Sequence, residues 1–550
     1  MAEAPPIGPG SADEPPDDSA AAFVRRTAVM SVGTALSRLT GFLRLAAMAY
    51  ALGITEEFIT DAYNIANVTP NILYELVLGG ILTSVVVPVV VAHLQEHGRD
   101  EAWDVVRRLL SLALLVLAAI AVLAILLAPW IIDLYTVGVP EARRDEVREL
   151  STFFLRWFMP QIVFYGVGAI ATGLLNTHRR FAAPMFAPVL NNVIVIGTFV
   201  AFRLLEEPGV VATQAQRLVL AVGTTAGVAG MTLALWPFVR ATGFRWRWRT
   251  GWRHEAVLRM GRLATWVFLY VVANQAGFLV VMVLAGGVLG GFSAYSAAFI
   301  VFQLPHAIFA VSIFTALLPA MSSRWAARDV DGFRATLSQG IRATAAIVLP
   351  AAVGYLVLAR PIVRLLLEHG VTTPASGRLV SDLLVAFSIG LLPFSAFQLL
   401  LRAYYSMQDT RTPALVNLGA LCVNVVVNLI LFFGLDLGMQ GLALGHAASY
   451  VFGSGVLLWL IRRRLGRIDG RRIAATVGRT AVAAGATAGV AWTAARVLGE
   501  AVGTTTVAEQ SIQVFGAVAA GLAAFVAGAM LLRIEEVAMV RRQLEARWRR

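Results

Sequence analysis

Apolar stretches separated by short polar ones run along nearly the whole chain, and many are too long for the helices of a soluble protein. "LLSLALLVLAAIAVLAILLAPWII" (109–132) alone exceeds the ~20 residues that a helix needs to cross a bilayer. Hydropathy divides the chain into about fourteen such segments, at 27–52, 62–93, 107–132, 150–174, 184–203, 217–239, 258–285, 292–321, 341–367, 380–405, 412–433, 437–461, 473–496 and 511–533. The pattern predicts an all-α polytopic membrane protein with about fourteen transmembrane helices.

Composition agrees. Of 550 residues 58% are hydrophobic and only 14% charged, where a soluble domain carries about a quarter. The mean hydropathy is +0.73. No lysine occurs, so the whole basic charge behind the net +12 is arginine. It sorts by loop: roughly thirty arginines fall in one alternate set of loops and tails and roughly seven in the other. The positive-inside rule then places both termini in the cytoplasm, in agreement with an even helix count. That bias accounts for the net charge without a nucleic-acid partner. The interleaved "FRWRWRTGW" (244–252) reads as a membrane-interface segment, since interfaces favour Arg and Trp.

The chemistry of an enzyme is missing from the sequence. There is no nucleophile–base constellation, no nucleotide-binding loop and no cofactor motif. Cys422 is the single cysteine, which excludes an internal disulfide and a cysteine-rich metal site. His93 and His97 are four apart but read as an interfacial turn rather than metal ligands. The first 22 residues are acidic and Pro-rich, unlike a signal peptide, and read as a disordered tail.

Helices six apart carry weak echoes. "GFLRLAAMAYALG" (41–53) resembles "GFLVVMVLAGGVLG" (277–290), "TSVVVP" (83–88) resembles "TALLP" (315–319), and "NTHRRFAAP" resembles "SMQDTRTP". Two six-helix halves of equal orientation plus two added helices follow, an arrangement of alternating-access transporters. The expected organisation is a cytoplasmic tail 1–26, a six-helix lobe 27–240, a linker 241–257, a second lobe 258–462, two added helices 463–533 and a basic tail 534–550.

The first helix poses the chemical question, because "SRLTGFLRLAAMAYALG" (37–53) holds Arg38 and Arg44 in an otherwise apolar run. A guanidinium at the bilayer centre costs roughly 2.5–3.5 kcal/mol on insertion scales, so it must face protein, water or ligand. Six residues apart, the two flank Gly41 on one broad face that would suit a wide cavity. Depth matching sets Arg38 level with Glu75 on the second helix, either as a buried ion pair or as an anion site with Glu75 beside it. Arg44 has no acidic partner at its depth. A guanidinium fork suits phosphate, so an anionic substrate is expected.

The stretches "SRLTGFLR" (37–44), "TDAYNIANVTPN" (60–71), "TSVVVPVV" (83–90), "GLLNTHRRFAAPMFAPVLNN" (173–192), "ALLPAMS" (316–322), "RAYYSMQDTRTP" (402–413) and "GLALGHAASY" (441–450) resemble the MurJ/MviN family of lipid II flippases, in the right order. The wording is similar to that of actinobacterial members. The resemblance implies a flippase for undecaprenyl-diphosphate-linked disaccharide-pentapeptide in the cell membrane, with no cofactor. It also implies contact with membrane lipids and leaves room for partners among cell-wall synthesis proteins. By resemblance Arg38 and Arg44 line a cationic cavity and Asp61 opens helix 2, where it could equally cap its own helix after Thr60. The family's paired arginines in helix 2 and its following Glu-Gly are replaced here by Tyr74, Glu75 and Gly79-Gly80. Ile300 stands where helix 8 is expected to carry an arginine. Arg180 with Pro184 and Arg411 with Pro413 open helices 5 and 11, as structural anchors or as parts of a gate. Asn424 and Asn428 read as interhelical hydrogen-bonding residues. An exporter of the same superfamily would want an acidic cavity, and a non-transporting scaffold for cell-wall synthesis would be indifferent to Arg44.

Overall fold

The structure, a computed structural model, describes residues 20–75, 99–178, 180–205, 212–249, 272, 274–466 and 468–536. Several expectations lie outside the described residues: Gly79-Gly80, His93 and His97, the far part of helix 2, the start of helix 7, most of both tails, and the side chains of Tyr74 and Glu75.

The first half of the chain forms α1 (Ala20–Leu52), α2 (Phe58–Glu75), α3 (Arg99–Leu126), α4 (Ala128–Tyr135), α5 (Glu141–Phe158), α6 (Gln161–Thr177), α7 (Ala182–Leu204) and α8 (Gln214–Arg240). The second half forms α9 (Asn274–Ala285), α10 (Gly291–Pro305), α11 (Val311–Ala326), α12 (Val330–Leu367), α13 (Pro374–Ser388), α14 (Leu391–Ser406), α15 (Arg411–Leu429) and α16 (Gly438–Leu465). Two more helices follow, α17 (Gly470–Val502) and α18 (Val507–Leu531). Among the described residues no strand occurs, and ten helices are long and apolar enough to cross a membrane, or eleven if the bent pair α13 and α14 is one span. The protein is an all-α, multi-pass membrane protein.

α1 begins at Ala20, inside the segment read as a tail. The Ala20–Ala22 run extends the helix because alanine loses no side-chain entropy in it. Proline explains the breaks. α3 gives way to α4 at Pro129, and α5 to α6 at Pro160, where the missing N–H interrupts the ladder. In the eighth expected segment Pro305 is followed by a π turn, His306–Ala310. The carbonyl that Pro305 cannot satisfy is that of Val301, and the Tyr355 hydroxyl of α12 donates to it at 2.7 Å. α13 and α14 meet at 53°, where Gly390 lets the chain pass against Ala447.

Packing divides the helices into two groups. α1 lies along α7, α7 on α8, and α2 on α5; in the other half α10 lies on α13, α14 on α16, and α15 on α16. Between the groups α2 and α1 touch α10, and α1 also touches α12. α17 and α18 pack on each other and along α12. A charge network fixes that last attachment: Arg342 of α12, buried, pairs with the buried Glu536, and Glu535 bridges Arg342 and Arg472 at 3.4 and 2.7 Å.

Candidate functional site

Two regions between the helix groups carry charge, one at mid-height and one at an end. The end is closed. Its loops are 53–57 between α1 and α2, 286–290 before α10, and 368–373 before α13. Val371 N donates to Tyr50 O at 3.1 Å and the Thr372 hydroxyl to Ala49 O at 2.7 Å. Glu56 accepts from Ile54 N at 2.6 Å, Thr55 N at 2.9 Å and, across the interface, from Thr373 N at 2.6 Å and the Ser376 hydroxyl. Burial works against the Glu56 charge, but these donors outweigh it and hold the carboxyl below its ordinary value.

Asp61 does not cap its own helix. It sits in the first turn of α2, buried, and accepts from Ser293 N at 3.1 Å and the Ser293 hydroxyl at 2.6 Å, at the start of α10. A carboxylate suits that place because the first turn of a helix presents unsatisfied N–H groups. Asn64 donates to the Ser293 hydroxyl at 2.9 Å, and the Thr60 hydroxyl is spent on the Leu52 and Gly53 carbonyls.

Two glycines permit this closure. Gly290 and Gly370 both have φ of +64°, the left-handed region that other residues enter at a cost. A Cβ on Gly290 would strike the Ile54 carbonyl, and one on Gly370 the Tyr50 carbonyl.

A pH prediction follows from Glu56. A depressed carboxyl stabilises the closed end above its ordinary value of about 4.3, and the contribution disappears as pH falls through the lower closed-state value. Distances between labels on the 53–57 and 368–373 loops should therefore lengthen on acidification through that window. Glu56→Gln should flatten the dependence; an unchanged profile in the variant would assign it to another group.

At mid-height, Arg38 is exposed and Arg44 half-buried on α1, and among the described residues neither makes a hydrogen bond or an ion pair. The midline of the face between them is in contact with the neighbouring helix. Gly41 lies under Asn192 of α7, whose amide donates to the Thr40 hydroxyl at 3.0 Å and the Ser37 carbonyl at 3.3 Å. With α1 clamped along that midline, the two arginines diverge. Arg44 bears electrostatically on Tyr63 of α2, and Arg38 on His306 in the other helix group.

The sequence reading missed the groups around His306. Its Nδ1 and the Ser395 hydroxyl of α14 are 3.0 Å apart, and its ring packs on Phe394 and Phe314. Arg402 of α14 lies over the same Phe314 ring at 4.9 Å, held by the Gln398 carbonyl at 2.9 Å, and it too bears on His306. The His306 imidazole and the Arg402 guanidinium thus share the Phe314 ring. Ile300, where the resemblance expects an arginine, is 39% exposed. The only sequence signal for Arg402 was its place in "RAYYSMQDTRTP".

The other motif residues sit at helix starts. Pro184 and Pro413 are buried in the first turns of α7 and α15, where proline costs no hydrogen bond. Arg180 is exposed and reaches the Phe238 carbonyl at 3.5 Å. Arg411 is exposed, while its neighbour Asp409 binds Thr412 N at 3.0 Å and Arg464 at 2.7 Å, joining α15 to α16. Asn424 and Asn428 bond to each other along α15 at 3.1 Å; the bond between helices is Asn417 to Asn274 at 3.0 Å. Among the described residues no cluster of three metal-ligating side chains occurs.

Two packed helix groups, joined at one end and bearing charged groups on their facing sides, define a membrane transporter of the alternating-access kind. A solved structure described as "Lipid II flippase MurJ, inward closed conformation" superposes with a TM-score of 0.72 at 22% identity, covering 92% of this chain and 99% of that one. An inward-facing multidrug resistance MATE transporter of the MOP superfamily gives 0.65 at 14% identity, over 80% of this chain and 99% of its own. The family model "Lipid II flippase MurJ" matches residues 48–510, and the chain belongs to that family. Its relatives include the probable lipid II flippase MurJ of Vibrio cholerae, 30% identical over 76% of this chain and 79% of that protein. The lipid II flippase MurJ of Burkholderia cenocepacia is 27% identical, over 78% and 82%.

Proposed function

We propose that the chain carries lipid II, a lipid-linked diphosphate sugar-peptide, from the inner to the outer leaflet by alternating access, and that it is a transporter without catalytic activity. Both termini are cytoplasmic in this reading, so the closed end faces outward and the arginine site is reached from the cytoplasm. Arg38 and Arg44 receive the diphosphate, with Arg402 across from Arg38; Asp61 and Glu56 hold the outer end shut while the headgroup loads. The observation that carries the reading is a pair of arginines in a membrane helix with no protein anion in contact among the described residues, in a chain of this family. Arg180 and Arg411 act in anchoring the cytoplasmic turns.

The test is transport of fluorescent lipid II in proteoliposomes. The parent chain should expose the label on the far leaflet, and Arg402→Gln should slow it while Arg402→Lys restores part of the rate. Parent vesicles no faster than empty ones would overturn the reading. A parent that flips together with an unaffected Arg402→Gln would remove only Arg402 from the site.

A further inference from the structure

Beyond α8 the chain does not leave the first helix group at once; it turns back and lies along α3. Phe244 is buried against Trp103, with ring centroids 5.4 Å apart, and Trp103 in turn stacks on His178. The Arg107 guanidinium donates to the Arg245 carbonyl at 3.0 Å. Arg249 N donates to the Ser111 hydroxyl at 3.1 Å, and the Arg249 side chain pairs with Asp104 at 3.3 Å. Residues 244–249 therefore form a strap pinned at three points over the first turns of α3.

What the strap presents outward is distinctive. Trp246 and Trp248 are 42% and 50% exposed, edge to face at 6.1 Å. Arg245 and Arg247 are exposed, and among the described residues their guanidiniums have no hydrogen bond or ion pair. Asp104, the acid under the strap, is engaged by Arg108 and Arg249 instead. The strap starts where the spanning part of α3 begins and α8 ends, at Trp103 and Arg240, the level of lipid headgroups, and runs along α3 as far as Ser111.

We propose that the strap is a docking surface for anionic phospholipid headgroups at the bilayer interface. Indoles favour that interface and guanidiniums bind phosphate; the pinned backbone presents both together, so little ordering is left to be done on binding. The two free cations select anionic over zwitterionic headgroups, and the two indoles hold either kind. Because the strap begins the linker between the two helix groups, lipid charge acts on the segment that joins them. None of this depends on what the protein transports.

The purified full chain in neutral detergent is titrated with short-chain phosphatidylglycerol or phosphatidylcholine, and bound lipid is counted by native mass spectrometry. The parent should prefer phosphatidylglycerol. In the Arg245→Gln/Arg247→Gln variant that preference should fall roughly 25-fold, about fivefold per arginine. Trp246→Ala/Trp248→Ala should weaken both lipids alike. An Arg462→Gln/Arg471→Gln control, which removes the same charge from exposed sites outside the strap, should keep the parent preference. A strap variant that still prefers phosphatidylglycerol would overturn the proposal. So would a control that loses as much, since binding would then follow bulk charge. Native-like melting of the exposed-site variants excludes misfolding as the cause.

Discussion

Arg44→Ala should all but abolish lipid II transport in proteoliposomes at matched protein amount. Arg44 makes no ion pair or hydrogen bond within the described protein, so its truncation costs the fold little while removing a contact to substrate. Hydrogen bonds to charged groups contribute about 1.5–3 kcal/mol each, so losing one or two from a diphosphate should slow loading at least 10-fold. Arg44→Lys keeps the charge but loses the planar fork, and should fall between the two. Transport by Arg44→Ala at the parental rate would move the anion site elsewhere. If instead the variant came out aggregated, a role for Arg44 in packing near Tyr63 would have to replace its role toward substrate.

Gly290→Ala combined with Gly370→Ala should open the closed end. A left-handed backbone costs a non-glycine residue about 1–2 kcal/mol at each site, before any contact is considered. Each new methyl also meets a backbone carbonyl of the opposing helix group, which a side-chain rotation cannot move aside. Because the clash exists only while the loops touch, it raises the free energy of the closed state alone and shifts the population toward the open one. Labels on residues 55 and 371 should show a longer mean separation in the double variant, with unchanged helix content. A parental distance distribution would mean that the loops relax without parting.

Much of the architecture was legible in the chain because burying backbone in lipid demands long apolar helices, and these announce themselves. The helix starts at Pro184 and Pro413 were readable from local chemistry. What escaped were contacts between residues far apart in sequence. Asp61 next to Thr60 looks like a cap for the helix it opens, and nothing local says that its partner is Ser293. Gly41 between two arginines gives no local sign that Asn192, far along the chain, lies against it. His306 and Arg402 each look ordinary; their meaning arises only where both pack on Phe314.

The Arg342–Glu536 pair has a bearing on how many bodies move. Its charges are buried, so separating them would leave each unpaired in a low-dielectric setting, at a cost of several kcal/mol. The two C-terminal helices are therefore not a third lobe free to swing. They are cargo on α12, and any rocking of one half against the other sweeps them along. Whatever rests against α17 and α18 would keep a fixed address on the second half throughout a cycle, while the distance to the α1 arginines is what changes.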